Sequence, residues 1–193
     1  MAVPAATPAT AVPLRALDIL RRVNRVIALL VGAGLLACAG VVMVDIGLRR
    51  VGGSLGGTDD ISGYVMAIAT SWGMAYALLE LGHVRIDILR SQLHGRLRAV
   101  LDLIALLALA GTVSLIALKS WPVLARSIAN GSRSNSALET PLALVQGPWV
   151  AGWVWFALTA WVTFLCALWL VLMRDLDDAE TAIGMTSEAE LEA

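Results

Sequence analysis

Two polar clusters contain the residues of this chain whose types and spacing suggest chemistry. One is Thr58-Asp59-Asp60, the other Glu80-Leu81-Gly82-His83-Val84-Arg85-Ile86-Asp87. Ionisable groups of these kinds build proton relays and ion pathways when they sit near the middle of a membrane. Here the apolar run from Ile61 to Leu81 holds the clusters ~30 Å apart if it is helical. Each cluster also has a local reason to exist. Thr58 or Asp59 can cap a helix, and the acidic pair favours the positive end of its dipole. Gly82 can end that helix, after which Val84, Ile86, Ile88, Leu89 and Leu93 alternate with charges as a surface-lying segment does. His83 and His94 share one loop, so paired haem-ligating histidines inside helices are not indicated. Cys38 and Cys166 lie in apolar stretches without metal-ligand spacing. No nucleophile–base pair or metal triad is visible, so neither an enzyme nor a cofactor or metal site is expected.

The elements around the clusters explain more. Four long apolar stretches run roughly over 26–48, 61–81, 97–118 and 149–173. Each has about the 20 residues that a helix needs to cross ~30 Å of hydrocarbon, and backbone in a bilayer must satisfy its own hydrogen bonds. The chain is 59% hydrophobic and 15% charged, with mean hydropathy +0.79, far from a water-soluble balance. The expected fold is therefore an all-α integral membrane protein with four transmembrane helices and short interfacial amphipathic helices. Leu35-Leu36-Ala37-Cys38 resembles a lipoprotein cleavage box, but the apolar run continues through Val44, too long for a signal core. A net charge of −1 offers no field for nucleic acid.

Nine Lys and Arg flank one side of the spans (four before span one, four between spans two and three, then Arg174), and five the other. The positive-inside rule places both termini in the cytoplasm. Residues 1–13, without charge or period, are expected to be a disordered leader. Residues 14–25, with Arg15, Asp18, Arg22 and Arg25 opposing Ala16, Leu20 and Val23, are expected to be an interfacial helix. Residues 174–193 form an acidic tail. In span two, Gly63, Ala67, Ser71 and Ala75 recur every four residues, a spacing that lets another helix approach closely. Trp149, Trp153 and Trp155 at one end of span four and Trp169 at the other suit anchors at the two interfaces. Asp45, Glu80 and Asp102 all sit within about two turns of a span end, and no Lys or Arg lies deep. Such a chain reads as an auxiliary subunit rather than a pump or electron carrier. The competing reading is a stand-alone four-helix membrane protein, an assembly factor or small channel, although only span two offers pore-suited residues such as Thr70 and Ser71.

Over about residues 15–173 the sequence resembles the small membrane subunit of tripartite ATP-independent periplasmic transporters. The resemblance rests on Arg49-Arg50 after span one, Asp59-Asp60 opening span two, Gly82-His83-Val84-Arg85-Ile86-Asp87 after it, and Thr140-Pro141 before the last span. The acidic pair is commonly glutamate in that family, and the glycine-rich 51–57 segment lacks an aromatic often found there. The resemblance implies a large transmembrane transport subunit and a periplasmic substrate-binding protein as partners. It also implies a bacterial cytoplasmic membrane and uptake of an organic acid driven by an ion gradient, commonly sodium. In that setting Arg49, Arg50, Asp59, Asp60, Gly82, His83, Arg85 and Asp87 would be family-motif or partner-interface residues.

Overall fold

A computed structural model describes residues 8–80, 96–136 and 138–173. The described residues form four helices: α1 (Pro8–Arg50), α2 (Thr58–Leu79), α3 (Arg96–Ala129) and α4 (Leu142–Leu172). Three helices, over Val12–Arg50, Leu97–Ala129 and Leu142–Leu172, are long and apolar enough to cross a membrane. In α2, Ser62, Thr70, Ser71, Tyr64, Tyr76 and two glycines dilute the apolar content of 22 residues.

Helix boundaries differ from those expected, and for a common reason. Hydropathy reports where the chain is apolar, whereas a helix continues as long as its backbone bonds do. α1 has no break at residue 25: residues 8–13, expected as a disordered leader, and 14–25, expected as a separate interfacial helix, belong to one 43-residue helix with the first span. Pro8 at its first position loses no hydrogen bond that a helix start could make. α3 runs on past Lys119 to Ala129, and α4 begins at Leu142 rather than Trp149, so Pro122 and Pro148 are helical.

Two helices end by the same device. After α1, Gly52 takes φ +85°, Gly52 N donates to Arg49 O at 3.4 Å and Gly53 N to Leu48 O at 2.9 Å. After α3, Gly131 takes φ +58°, with Gly131 N on Ile128 O at 3.3 Å and Ser132 N on Ser127 O at 3.0 Å. These paired bonds form the left-handed cap that satisfies the last carbonyls of a helix. The chain then returns through a small loop, where Ser134 N meets Thr140 O at 2.9 Å and Leu142 N meets Ser132 O at 3.0 Å.

The chain divides into two compact units, one of Asn24–Tyr76 and Val113–Ala157, the other of Met1–Val23, Ala77–Thr112 and Leu158–Ala193. In the first, Ala75, Val113, Leu124, Val150 and Phe156 are buried. In the second, Leu78, Leu103, Leu106, Ala110, Ala160, Ala167 and Leu170 are buried. Helix hydroxyls return to their own backbone: Thr70 to Met66 O, Thr112 to Ala108 O, Ser120 to Ile116 O and Thr163 to Thr159 O, each at 2.7–2.8 Å. A hydroxyl bonded in this way can face lipid or a packed neighbour without an unmet donor.

Gly57, just before α2, takes φ +70°, and a Cβ there would collide with the Leu138 side chain. Gly57→Ala is expected to lower thermal stability by roughly 1–2 kcal/mol for the left-handed conformation, plus the steric conflict. Adding Leu138→Ala should recover only the steric part. Unfolding midpoints of the two variants in detergent check this.

Candidate functional site

The densest polar geometry lies where α1 passes into α2. Asp45 is five residues from the end of α1 and only 2% exposed. A buried carboxylate must have its lone pairs answered, and every donor comes from the next thirteen residues. Arg49, one turn on, gives Nε at 2.8 Å and Nη2 at 2.7 Å to Oδ2. Thr58 Oγ1 donates to the same oxygen at 2.8 Å. Oδ1 accepts the Leu55 backbone N–H at 2.7 Å and Ser54 Oγ at 3.2 Å. Thr58 Oγ1 in turn accepts from Arg49 Nη2 at 3.4 Å, and Ser54 Oγ accepts from Gly56 N at 3.2 Å.

This arrangement alters the expected start of α2. The Ile61 N–H bonds Gly57 O at 3.1 Å, so Gly57 holds the capping position and Thr58 is the first helical residue. The Thr58 hydroxyl, expected as a cap, is turned to Asp45 instead. Gly57 is suited to this position because its φ is positive. Asp59 and Asp60 lie in the first turn, beside the positive end of the dipole. Arg49 and Arg50 lie in the last turn of α1, where cations complement the opposite end. Arg49 is drawn into the cluster and Arg50 stays exposed.

A second polar contact ties α1 to α4. Asn24 is fully buried, and its Oδ1 accepts Trp155 Nε1 at 3.0 Å. The Trp155 N–H, expected at a headgroup interface, is thus engaged within the chain. Trp149 and Trp153 meet edge to face, their centroids 6.4 Å apart. Trp169 is exposed.

Among the small residues of α2, Ser71 and Ala75 are fully buried, Ala67 is half-buried and Gly63 is exposed, with open space where a Cβ would be. Ser71 lies against Gly152 of α4: a Cβ on Gly152 would run into the Ser71 side chain and stand 2.9 Å from Trp72 Cδ1. Trp72 crosses the same turn and donates Nε1 to Pro148 O at 2.9 Å. The side of α2 at Ser71 is therefore filled from within this chain.

Gly82, His83, Arg85 and Asp87 lie outside the described residues. The Asp45 cluster had one signal in the sequence, the i,i+4 spacing of Asp45 and Arg49 at a helix end. Asn24, Trp72 and Gly152 had none, because a single polar residue, tryptophan or glycine in an apolar helix has many uses. No group of three or more His, Cys, Asp or Glu among the described residues is placed to hold a metal ion. The arrangement has the makings of a structural lock and of a partner surface.

The sequence model of one family, described as tripartite ATP-independent periplasmic transporters, DctQ component, matches residues 38–170. No curated protein and no solved structure matches the chain.

Asp45 and Arg49 make an asymmetric prediction. Arg49→Gln leaves a buried carboxylate without its cation, whereas Asp45→Asn with Arg49→Gln removes both charges and keeps the side-chain volumes close. The single Arg49→Gln variant is expected to unfold at a lower temperature than the double variant, and both below wild type. Thermal unfolding of the three chains in one detergent measures the order, and a double variant no more stable than Arg49→Gln would refute the lock.

Proposed function

This chain belongs to the DctQ component family of the tripartite ATP-independent periplasmic transporters and is the small membrane subunit of such a transporter, and we propose that it serves there as a scaffold. The family is one of transporter subunits rather than enzymes, and it implies a large membrane subunit and a substrate-binding protein as partners. In the proposed arrangement four helices cross a bacterial cytoplasmic membrane, α2 included, with both termini inside. The large subunit then moves an organic acid against this chain, coupled to an ion gradient such as sodium.

The observation that carries the scaffold reading is where the charge lies. Asp45 sits near one end of α1 and is held by its own loop. A group committed to that many donors is a poor candidate for binding and releasing an ion in each cycle. The apolar stretch of α1, by contrast, has only 6% of its residues buried, against 28% for α3 and 33% for α4. Much of α1 thus remains for contact with lipid or with the large subunit.

Orientation can be tested by labelling. Cysteines placed at Ser54 and Ser132 should react with an impermeant thiol reagent from the periplasmic side, and one at Gln92 should not. The reverse pattern would overturn the arrangement. Arg85→Ala or Asp87→Ala should lower the yield of complex with the large subunit while leaving ion stoichiometry unchanged. Reconstituted uptake normalised to assembled complex is the readout, and a changed coupling ratio at normal assembly would make these residues coupling elements.

A further inference from the structure

The chain has three asparagines, Asn24, Asn130 and Asn135, in unlike surroundings. Asn24 is fully buried, its Oδ1 held by Trp155 Nε1, and it precedes Arg25. Asn135 is exposed and precedes Ser136. Asn130 is exposed, its side chain makes no hydrogen bond among the described residues, and it precedes Gly131, also exposed. A side-chain amide beside a glycine can be lost through attack by the next backbone nitrogen. No Cβ shields that nitrogen, and glycine changes its conformation readily. We propose that Asn130 is a site of spontaneous deamidation through a succinimide, and that the cap of α3 sets its rate.

The step balances with water and hydroxide alone. Gly131 N loses its proton to hydroxide and bonds Asn130 Cγ, and ammonia leaves with a proton taken from water. Water then opens the ring. Opening at Cγ gives aspartate, whereas opening at the Asn130 carbonyl carbon gives isoaspartate, with the main chain now running through Cβ and Cγ. In the folded chain the nucleophile is engaged. Gly131 N donates to Ile128 O at 3.3 Å, between Asn130 N on Arg126 O at 2.9 Å and Ser132 N on Ser127 O at 3.0 Å. Ring closure has to turn the Gly131 peptide out of this cap. The bond that must break is the longest of the three, at a helix end where opening costs least. Isoaspartate lengthens the main chain between the donors of the cap, so the cap cannot re-form in register. The effect reaches further, because Ser132 O also holds Leu142 N at the start of α4, and Leu138 of the same loop lies against Gly57.

The test incubates the full chain in detergent at mildly alkaline pH, beside a synthetic peptide of residues 127–133. Trypsin releases the same segment from the chain with Asn130 as its only asparagine, so chromatography and mass spectrometry separate the amide, aspartate and isoaspartate forms. Asn130 should convert before Asn135 and Asn24. The full chain should react more slowly than the peptide, by the factor to which solvent exchange of the Gly131 N–H is slowed. Chains isolated in the isoaspartate form should lose exchange protection at the Ser132 and Leu142 N–H groups. Asn130→Gln, whose longer side chain closes the corresponding ring far less readily, should leave segment 127–133 unchanged in mass and keep that protection. Conversion at Asn135 ahead of Asn130 would overturn the proposal, as would conversion in the full chain as fast as in the peptide. Isoaspartate at position 130 with protection intact at Ser132 and Leu142 would show that the cap does not depend on this backbone and cannot gate its reaction.

Discussion

A carboxylate buried near the end of an apolar helix sets the form of the α1–α2 corner. Asp45 cannot be left with unanswered lone pairs, because an unpaired charge is costly away from water. The chain supplies donors from Arg49, Ser54, Leu55 and Thr58. Each partner fixes something else. Leu55 N–H fixes the path of the loop, and Thr58 fixes the first turn of α2. The reach of Arg49 requires α1 to stay helical to its end. The glycines between these partners take the positive-φ conformations that such a tight return needs: Gly52 ends α1, and Gly56 and Gly57 lead into α2.

The position of this polar cluster along α1 follows from the bilayer. Asn24 and Asp45 lie ~32 Å apart along the helix at 1.5 Å per residue, close to the thickness of the hydrocarbon core. Polar contacts cost least near the two edges of that core, where water and headgroups can still reach the flanking atoms. From Val26 to Val44 α1 carries only apolar and small side chains. It is clipped to α4 at one end and to α2 at the other, and over its apolar stretch it buries little. A helix fastened at its ends and open in between suits a subunit whose surface is completed by other molecules.

Helix existence was legible in the sequence, because long apolar runs in a membrane leave the backbone few alternatives. Helix extent was not. Lys119, Trp121 and Pro122 end the apolar pattern, yet the helix continues to Ala129: Lys119 and Trp121 keep their backbone donors, and Pro122 loses one bond and crowds the Leu118 carbonyl without ending the helix. The same holds for residues 8–25, whose change of pattern marks a change of surroundings and not of backbone. Side-chain partners were legible only when local. Asp45 and Arg49 share a face one turn apart, but the bonds to Leu55 and Thr58 depend on a loop conformation set by glycine φ angles. Gly152 is less legible still. Its lack of a side chain matters only because Ser71 and Trp72 come from a distant part of the chain to lie against it.

That distant contact also limits what the small-residue ladder of α2 can do. Close approach of two helices needs small side chains on both, and the approach at Ser71 is already made with Gly152. A partner helix cannot use the same side of α2 at that level without displacing α4, together with the hydrogen bond from Trp72 to Pro148. Dispersion gained from the newcomer would have to exceed both losses, although lipid and a partner helix offer nearly the same apolar surroundings. The remaining exposed apolar surface is of another kind. On α1, Leu29, Leu30, Leu36, Met43 and Val44 are all exposed, and covering them breaks nothing inside the subunit. Association through α1 thus costs only the displacement of lipid, which makes it the cheaper face for any molecule that joins this chain in the membrane.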